Sequence, residues 1–171
     1  MSIQQSPGIT TTRWRIDPAH SSVEFRVKNF WGMATVKGGF SRYHGTLDLG
    51  ADPAIELTVE AGSVDTEHEK RDKHLRSPDF FDAETRPDIR FVSDSAALDG
   101  ERLTVRGRLH ARGTSIPLSL EATLRRTAKD ELELEAVTEA DRRQLGMTWN
   151  LLGTVGTTST LTVKGRLVRE N

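Results

Sequence analysis

The feature that most limits how this chain can fold is a hydrophobic period of two that recurs from Trp14 to the C-terminal region. The first run sets Val23, Phe25 and Val27 against Glu24, Arg26 and Lys28. Comparable runs occupy residues 55–60, 89–91, 103–110, 118–125, 131–136 and 161–167. Since successive side chains of a β-strand point to opposite faces, each run predicts a strand with one dry and one solvated face.

Short turns join these predicted strands. Asp99-Gly100 lies between two alternating runs, and this pair favours a type I′ hairpin because both turn residues need positive φ. Lys129-Asp130 marks a second turn. With weaker segments at residues 33–40 and 43–49, we count roughly eight or nine strands. The sequence therefore predicts an antiparallel, all-β protein.

A sheet of this length with one apolar face must cover that face. It can close into a barrel, which also removes exposed strand edges, or it can pack on a second sheet. The predicted inward residues are mostly small or medium in size, and only ten residues of the chain are aromatic. Small inward side chains leave room for a ligand, so we expect an antiparallel eight-stranded barrel. A sandwich with a thin core, acting as an interaction module, gives nearly the same pattern.

The composition of the chain limits the classes of partner that we expect. Lys and Arg number 24 against 25 Asp and Glu, and the two signs are interleaved, so we expect no nucleic-acid partner. The absence of Cys excludes disulfide and thiolate chemistry. No apolar run approaches the ~20 residues of a membrane span, so we expect no stable membrane insertion and a cytoplasmic protein. We predict that residues 1–12 form a flexible tail and that residues 13–171 form a single domain.

Helix signals replace the period of two between residues 63 and 83. Thr66 and Glu69 have the spacing of a capping box, in which each side chain satisfies a free backbone donor at a helix start. Acidic residues four positions before basic ones then support a helix that ends near Arg76. We expect this one short helix to cover the barrel.

Motifs for metal or nucleophilic chemistry are incomplete. His68-Glu69 begins an HExxH zinc motif, but position 72 is Asp and the spacing indicates no third ligand, so we expect no metal and no cofactor. No GxSxG elbow is present. A small hydrolase or isomerase acting on a lipid-like substrate is the alternative to a binding protein. Its acid and base would come from His20, His74 and one of Asp17, Asp72 or Asp79.

Four blocks of the chain follow one another in a recognisable order. They read WRIDPAHSSVEFRVKN, GGFSRYHGTLDL, VDTEHEKRDKHLRSPDFFDAETRPDIRF and VRGRLHARGTSIPLSLEATL. The most specific features are the DPxHSxVxF opening, which starts at Asp17, and RDxHLxSxDFFD, which starts at Arg71. From about Trp14 to Val168, the chain thus resembles the YceI-like family of polyisoprenoid-binding proteins.

This resemblance implies a lipocalin-like barrel with a covering helix and a long apolar channel that holds an isoprenoid chain, such as a quinone tail. It implies binding for storage, transport or sensing, without catalysis, and homodimers are common in the family. The chain departs from the family at Asn29, where His is frequent, and at Arg112-Gly113, where His-Gly is frequent. Arg142 matches the Arg of the family's turn before the last strand, and its position in this chain suits a cap on that turn or a clamp on a ligand. Trp149 suits a barrel rim, although core packing is favoured.

We therefore expect the barrel to bind a long-chain isoprenoid or a fatty amphiphile. Each buried methylene group contributes ~0.8 kcal/mol, so a dry channel can bind such a chain with few polar contacts. The predicted channel residues are Phe25, Val27, Phe40, Ile55, Leu57, Phe91, Leu109, Leu120 and Leu124, and the predicted entrance residues are Arg71 and His74.

Overall fold

A computed structural model of the protein describes residues 13–150 and 155–170. This part of the chain contains eleven β-strands and one α-helix. The strands are β1 (Arg13–Ile16), β2 (Ser22–Asn29), β3 (Ala34–Phe40), β4 (Tyr43–Asp48), β5 (Ala54–Glu60), β6 (Val64–Asp65), β7 (Asp88–Asp99), β8 (Arg102–Ala111), β9 (Thr114–Ala128), β10 (Glu131–Asp141) and β11 (Thr158–Arg169). The helix is α1 (Glu69–Arg76). The predicted flexible tail at residues 1–12 lies outside the described residues.

The strands form a closed, antiparallel, eight-stranded barrel. Its ring runs β1-β4-β5-β7-β8-β9-β10-β11, and β1 closes it by pairing with β11. Strand β11 pairs with β1 through its C-terminal part and with β2 through its N-terminal part. Strands β2, β3 and β6 pair side by side and extend the wall toward the helix. The predicted barrel is therefore confirmed, and the sandwich alternative is wrong.

Local turn chemistry directs the chain reversals. At the β7–β8 hairpin, Asp99 pairs with Arg102 and Gly100 takes a φ of +62°, which favours glycine. Between β1 and β2, the Asp17 carboxylate accepts a hydrogen bond from the Ala19 N–H at 3.2 Å and caps a short turn over Pro18–His20. This turn separates β1, which belongs to the ring, from β2, which pairs with the same neighbouring strand, β11.

The helix begins two residues later than its capping prediction requires. His68 is the N-cap, and its Nδ1 accepts a hydrogen bond from the Arg71 N–H at 3.2 Å. Thr66 is not the cap, because its side chain and backbone N–H both donate to the buried carboxylate of Asp72. The predicted end of the helix at Arg76 is correct. Asp72 therefore fastens the start of α1 to the segment that follows β6. None of the helices in the described ranges is long and apolar enough to cross a membrane.

The end of the barrel away from α1 is filled by the protein's own side chains. Trp14 is 2% exposed, and the guanidinium groups of Arg126 and Arg169 lie 5.7 and 5.1 Å from its ring centroid. Trp14 belongs to a core cluster with buried aliphatic residues, among them Leu47, Leu103, Val105, Leu124 and Leu132. The interior is thus solid at one end of the barrel.

Candidate ligand-binding site

An apolar cavity of about 620 Å³ occupies the rest of the barrel, from the packed end up to α1. Inward side chains from the strands form its wall, and hydrocarbon makes up nearly all of the exposed lining. Its floor is formed by Ile16, Leu47, Leu134 and Leu167, which lie next to the closed end. Apolar cavities of this size suit a ligand whose bulk is hydrocarbon.

The structure brings together most of the predicted site residues. The cavity lining includes Phe25, Val27, Phe40, Ile55, Leu57, Phe91, Leu109 and Leu120, together with the entrance residues Arg71 and His74. Leu124 does not line the cavity, and its predicted position in the channel is wrong. It has the inward orientation that its strand pattern predicts, but it lies deeper, in the closed end, where it is 6% exposed. Ligand contact by the other ten residues stays a prediction.

The cavity reaches solvent beside the N-terminal half of α1. His68 and Lys70 are exposed residues, and both belong to the cavity lining. Arg71 is half-buried next to them, and its guanidinium donates to the Thr66 hydroxyl at 2.8 Å and to the Thr66 carbonyl at 2.9 Å. Asn29 at the end of β2 is also part of the lining. We call this opening, formed by Asn29, His68, Lys70 and Arg71, the mouth.

Arg142 builds the neighbouring part of the rim. It is 7% exposed, and its guanidinium donates to the carbonyl oxygens of Met147, Val155 and Gly156. Burial lowers the pKa of Arg142 below its usual value. Gly156 in turn donates its N–H to the Asn29 side chain at 2.9 Å. A single buried cation therefore binds Met147, Val155 and Gly156, and Gly156 is in turn bound to the end of β2.

An aromatic cluster lies beneath the helix. The ring of His74 packs edge-on against those of Trp149 and Phe80, with centroids 4.4 and 5.0 Å apart. His74 Nε2 also pairs with the Asp79 carboxylate at 2.8 Å. Arg112 ties this region down, because its guanidinium donates to the carbonyl oxygens of Pro78, at 2.8 Å, and Leu145, at 3.3 Å. The family departure at Arg112 thus has a structural role here, and Trp149 lies at the cavity rim.

The residues of the alternative enzyme hypothesis fall into separate places. Asp17 pairs with His20 at 2.8 Å in an exposed turn, and this hydrogen bond holds the pKa of the Asp17 carboxyl below its usual range. His74 pairs instead with Asp79 at the rim. The buried carboxylate of Asp72 accepts hydrogen bonds from Thr66. The structure therefore provides two isolated His–Asp pairs instead of one joint site.

No group of three metal-ligating side chains occurs among residues 13–150 and 155–170. The two residues that suggested a zinc motif have other partners. His68 caps α1 through its Nδ1, and Asp72 binds Thr66. Both side chains are therefore engaged in the local structure around the start of α1.

Some lining residues were not predicted individually. Most of those on strands share the predicted inward parity, so the alternating pattern already carried the signal for Val23, Val59, Ile89, Leu118, Ala136, Leu161 and Val163. No parity was predicted for Ile16 and Val36, which also line the cavity. Met147, Val155 and Gly156 also line the cavity but come from segments without a regular strand or α-helix. No hydrophobic period marks such segments, so the sequence held no signal for their position.

The barrel and its apolar cavity agree with a match between this sequence and a known protein family. A family profile described as YceI-like domain matches residues 14–167. The chain belongs to the YceI-like family. Within it, Protein YceI of Escherichia coli O157:H7 is 38% identical over 109 residues, which cover 61% of this chain and 56% of that protein. The matched region is thus little more than half the length of that YceI relative.

Solved structures share the YceI-like barrel. BcnA from Burkholderia cenocepacia aligns with a TM-score of 0.81 at 18% identity, over 88% of this chain and 98% of that chain. A polyisoprenoid binding domain from Saccharophagus degradans aligns with a TM-score of 0.76 at 12% identity, over 94% of this chain and 99% of that chain. At these identities the similarity establishes a common fold.

Proposed function

We propose that this YceI-like protein binds a long-chain isoprenoid, or a similar amphiphilic lipid, with its hydrocarbon chain inside the barrel. The observation that carries the proposal is the 620 Å³ apolar cavity with a polar mouth at one end. The solved polyisoprenoid binding domain from Saccharophagus degradans, which has the same fold, supports this ligand class. Storage, transport and sensing are all compatible with such binding.

Burial of the chain supplies the binding free energy. Each methylene transferred from water to the cavity contributes ~0.8 kcal/mol, so several isoprene units suffice for tight binding without hydrogen bonds. The wall offers almost no polar partners to the hydrocarbon, whereas Lys70, Arg71 and Asn29 lie at the mouth. A lipid would therefore enter with its chain toward Leu47 and Leu134 and leave its head group near α1.

A binding role accounts for the rim histidine better than catalysis does. His74 is held by the Asp79 carboxylate and by two aromatic rings, an arrangement that fixes the ring in place. Turnover of an isoprenoid substrate that disappears in His74→Ala would favour the enzyme alternative instead.

The test is mass spectrometry of an organic extract from the purified protein, with the lipid expressed per mole of folded chain. Ala136 lines the cavity, and Val137, the next residue of β10, is 52% exposed on the outer face. Ala136→Trp fills the cavity and should lower the lipid content about tenfold. Val137→Trp adds the same side chain outside the barrel and should leave the content unchanged. The proposal fails if the wild-type protein neither yields lipid nor binds an added fluorescent polyprenol.

A further inference from the structure

The loop between β2 and β3 carries the largest exposed apolar side chains in the described ranges. Phe30 is 51% exposed, Trp31 80% and Met33 87%. The loop is only four residues long, Phe30 to Met33, and all four are exposed. We call these four residues the apolar tip. Solvent-exposed side chains of this kind, grouped together, mark an interaction site.

The backbone conformation of the apolar tip is one that its side chains do not favour. Phe30 and Trp31 have φ angles of +52° and +55°. This left-handed region disfavours bulky residues and is occupied more easily by Gly or Asn. The exposed Trp31 ring contributes little to the core, so packing does not explain a large aromatic residue in a strained turn.

Basic residues line the strands just below the apolar tip. Arg26, Lys28 and Lys37 are exposed residues of β2 and β3. Arg26 and Lys37 are directly opposite each other in the strand pairing, a like-charge arrangement that destabilises a sheet. Within residues 13–150 and 155–170, no ion pair involves these three cations. We call them the basic collar. Their charge is available to an anionic surface.

The apolar tip and the basic collar stand beside the mouth of the cavity. Asn29, which lines the cavity, is the residue immediately before Phe30. Across the mouth, α1 adds the exposed Lys70. Lys28 lies about 7 Å along the strand from Phe30, and Arg26 about 7 Å further. An apolar group followed at this distance by cations fits the depth profile of an anionic bilayer, where aromatic side chains occupy the interface and Lys or Arg contact phosphates.

We propose that the apolar tip inserts into the headgroup layer of an anionic lipid bilayer while the basic collar contacts lipid phosphates. Docking of this kind is peripheral, since four residues cannot span the hydrocarbon core. It turns the mouth of the cavity toward the membrane, the phase in which apolar ligands dissolve. The inference concerns the outer surface of the protein and does not rest on what the cavity holds.

The experiment measures co-sedimentation of the full-length protein with phosphatidylcholine vesicles that contain phosphatidylglycerol, compared with phosphatidylcholine alone. We expect binding to the anionic vesicles that weakens as salt concentration rises. Phe30→Asn/Trp31→Asn/Met33→Ser should lower the partition coefficient at least about tenfold. The matched control is Leu98→Ser/Val137→Ser, which removes exposed apolar residues, 42% and 52% exposed, from other parts of the barrel. This control should bind as the wild type does.

Charge is tested separately with Lys28→Glu/Lys37→Glu, which should abolish the preference for anionic vesicles. Circular dichroism checks that each variant is folded, and lipid extraction gives the occupancy of the cavity in each. The inference is overturned if the wild type does not bind anionic vesicles or if the apolar-tip variant binds equally well. It is also overturned if sedimentation shows that the tip instead joins two copies of the chain. Normal lipid content in such cases would leave the proposed cavity function standing.

Discussion

Leu120 and Leu124 project from the same face of β9 four residues apart, yet Leu120 lines the cavity and Leu124 is packed into the closed end of the barrel. Leu124 is opposite Leu134 in the pairing with β10, and Leu120 is opposite Val105 in the pairing with β8. Position along the strand therefore decides whether an inward side chain meets a ligand or another side chain. This difference allows binding and stability to be separated by mutation.

Leu124→Ala should destabilise the protein without emptying it. Truncation of a buried Leu loses packing in a solid region, which costs about 2–5 kcal/mol in free energy of unfolding. Leu120→Arg should instead empty the cavity of lipid, because a charge on the wall raises the free energy of the bound hydrocarbon chain. Urea denaturation and lipid extraction, performed on both variants, check the two effects. If folded Leu124→Ala loses its lipid while Leu120→Arg keeps it, the assigned depth of the cavity is wrong.

The sequence predicted which side chains of each strand point inward better than it predicted how deep in the barrel each of them lies. Alternation determines which side chains point inward, so Phe25, Ile55 and Leu57 are in the wall as expected. It contains no information about where the barrel is filled, because that depends on Trp14, which reaches the interior from a different strand. The misplacement of Leu124 follows from this.

Hydrogen-bond competition explains the error at the helix start. Thr66 and Glu69 satisfy the spacing rule for a capping box, but the Thr66 side chain is already engaged by Asp72 and Arg71. His68 takes the capping position instead. Local spacing reports which partners are available, and tertiary contacts decide between them. The family resemblance, which does not depend on such choices, predicted the helix and the barrel together.

Arg142→Met should loosen the rim. The substitution keeps much of the side-chain volume but leaves the carbonyl oxygens of Met147, Val155 and Gly156 without their donor. Loss of hydrogen bonds from a buried charged group predicts a decrease of about 2–3 kcal/mol in the free energy of unfolding. Arg142→Lys should retain only part of the stability that Arg142→Met loses, since an ammonium cannot reproduce the planar fork of the guanidinium.

Chemical denaturation of the two Arg142 variants provides the measurement, and Arg143→Met is the matched control. Arg143 is exposed, and its side chain donates hydrogen bonds only to Asp141 among the described residues. Its replacement should change the free energy of unfolding by less than about 1 kcal/mol. Equal losses in Arg142→Met and Arg143→Met would contradict the clamping role of Arg142.

Trp31→Asn should raise the stability of the protein. Trp31 has a φ of +55° and is 80% exposed, so its replacement removes backbone strain and little packing. Relief of a left-handed conformation in a bulky residue predicts a gain of about 1 kcal/mol. The thermal midpoint of the variant should therefore increase, while its binding to anionic vesicles decreases. Trp31→Ala, which lacks the preference of Asn for this conformation, should give a smaller gain, and a lower midpoint in Trp31→Asn would show that the ring supports the fold.

The Asp17–His20 pair predicts a defined response to acid. The hydrogen bond from His20 is the largest cause of the lowered pKa of Asp17, whose usual value is 3.8. A carboxyl whose pKa is lower in the folded than in the unfolded protein stabilises the folded state at pH values above the unfolded-state pKa. This contribution is lost as the pH falls through the folded-state pKa. The thermal midpoints of wild type and His20→Ala should therefore differ at neutral pH and converge in acid.

Carbon-13 titration of the aspartate carboxyl groups checks the cause of that response. In His20→Ala, the pKa of Asp17 should move up toward 3.8. Asp141 is an internal control, because Arg143 donates the hydrogen bonds that lower the pKa of Asp141, and it should titrate as in the wild type. If the pKa of Asp17 is unchanged in His20→Ala, the hydrogen bond from the Ala19 N–H to this carboxylate is sufficient to keep the pKa low. The thermal midpoints of the two proteins should then no longer converge in acid.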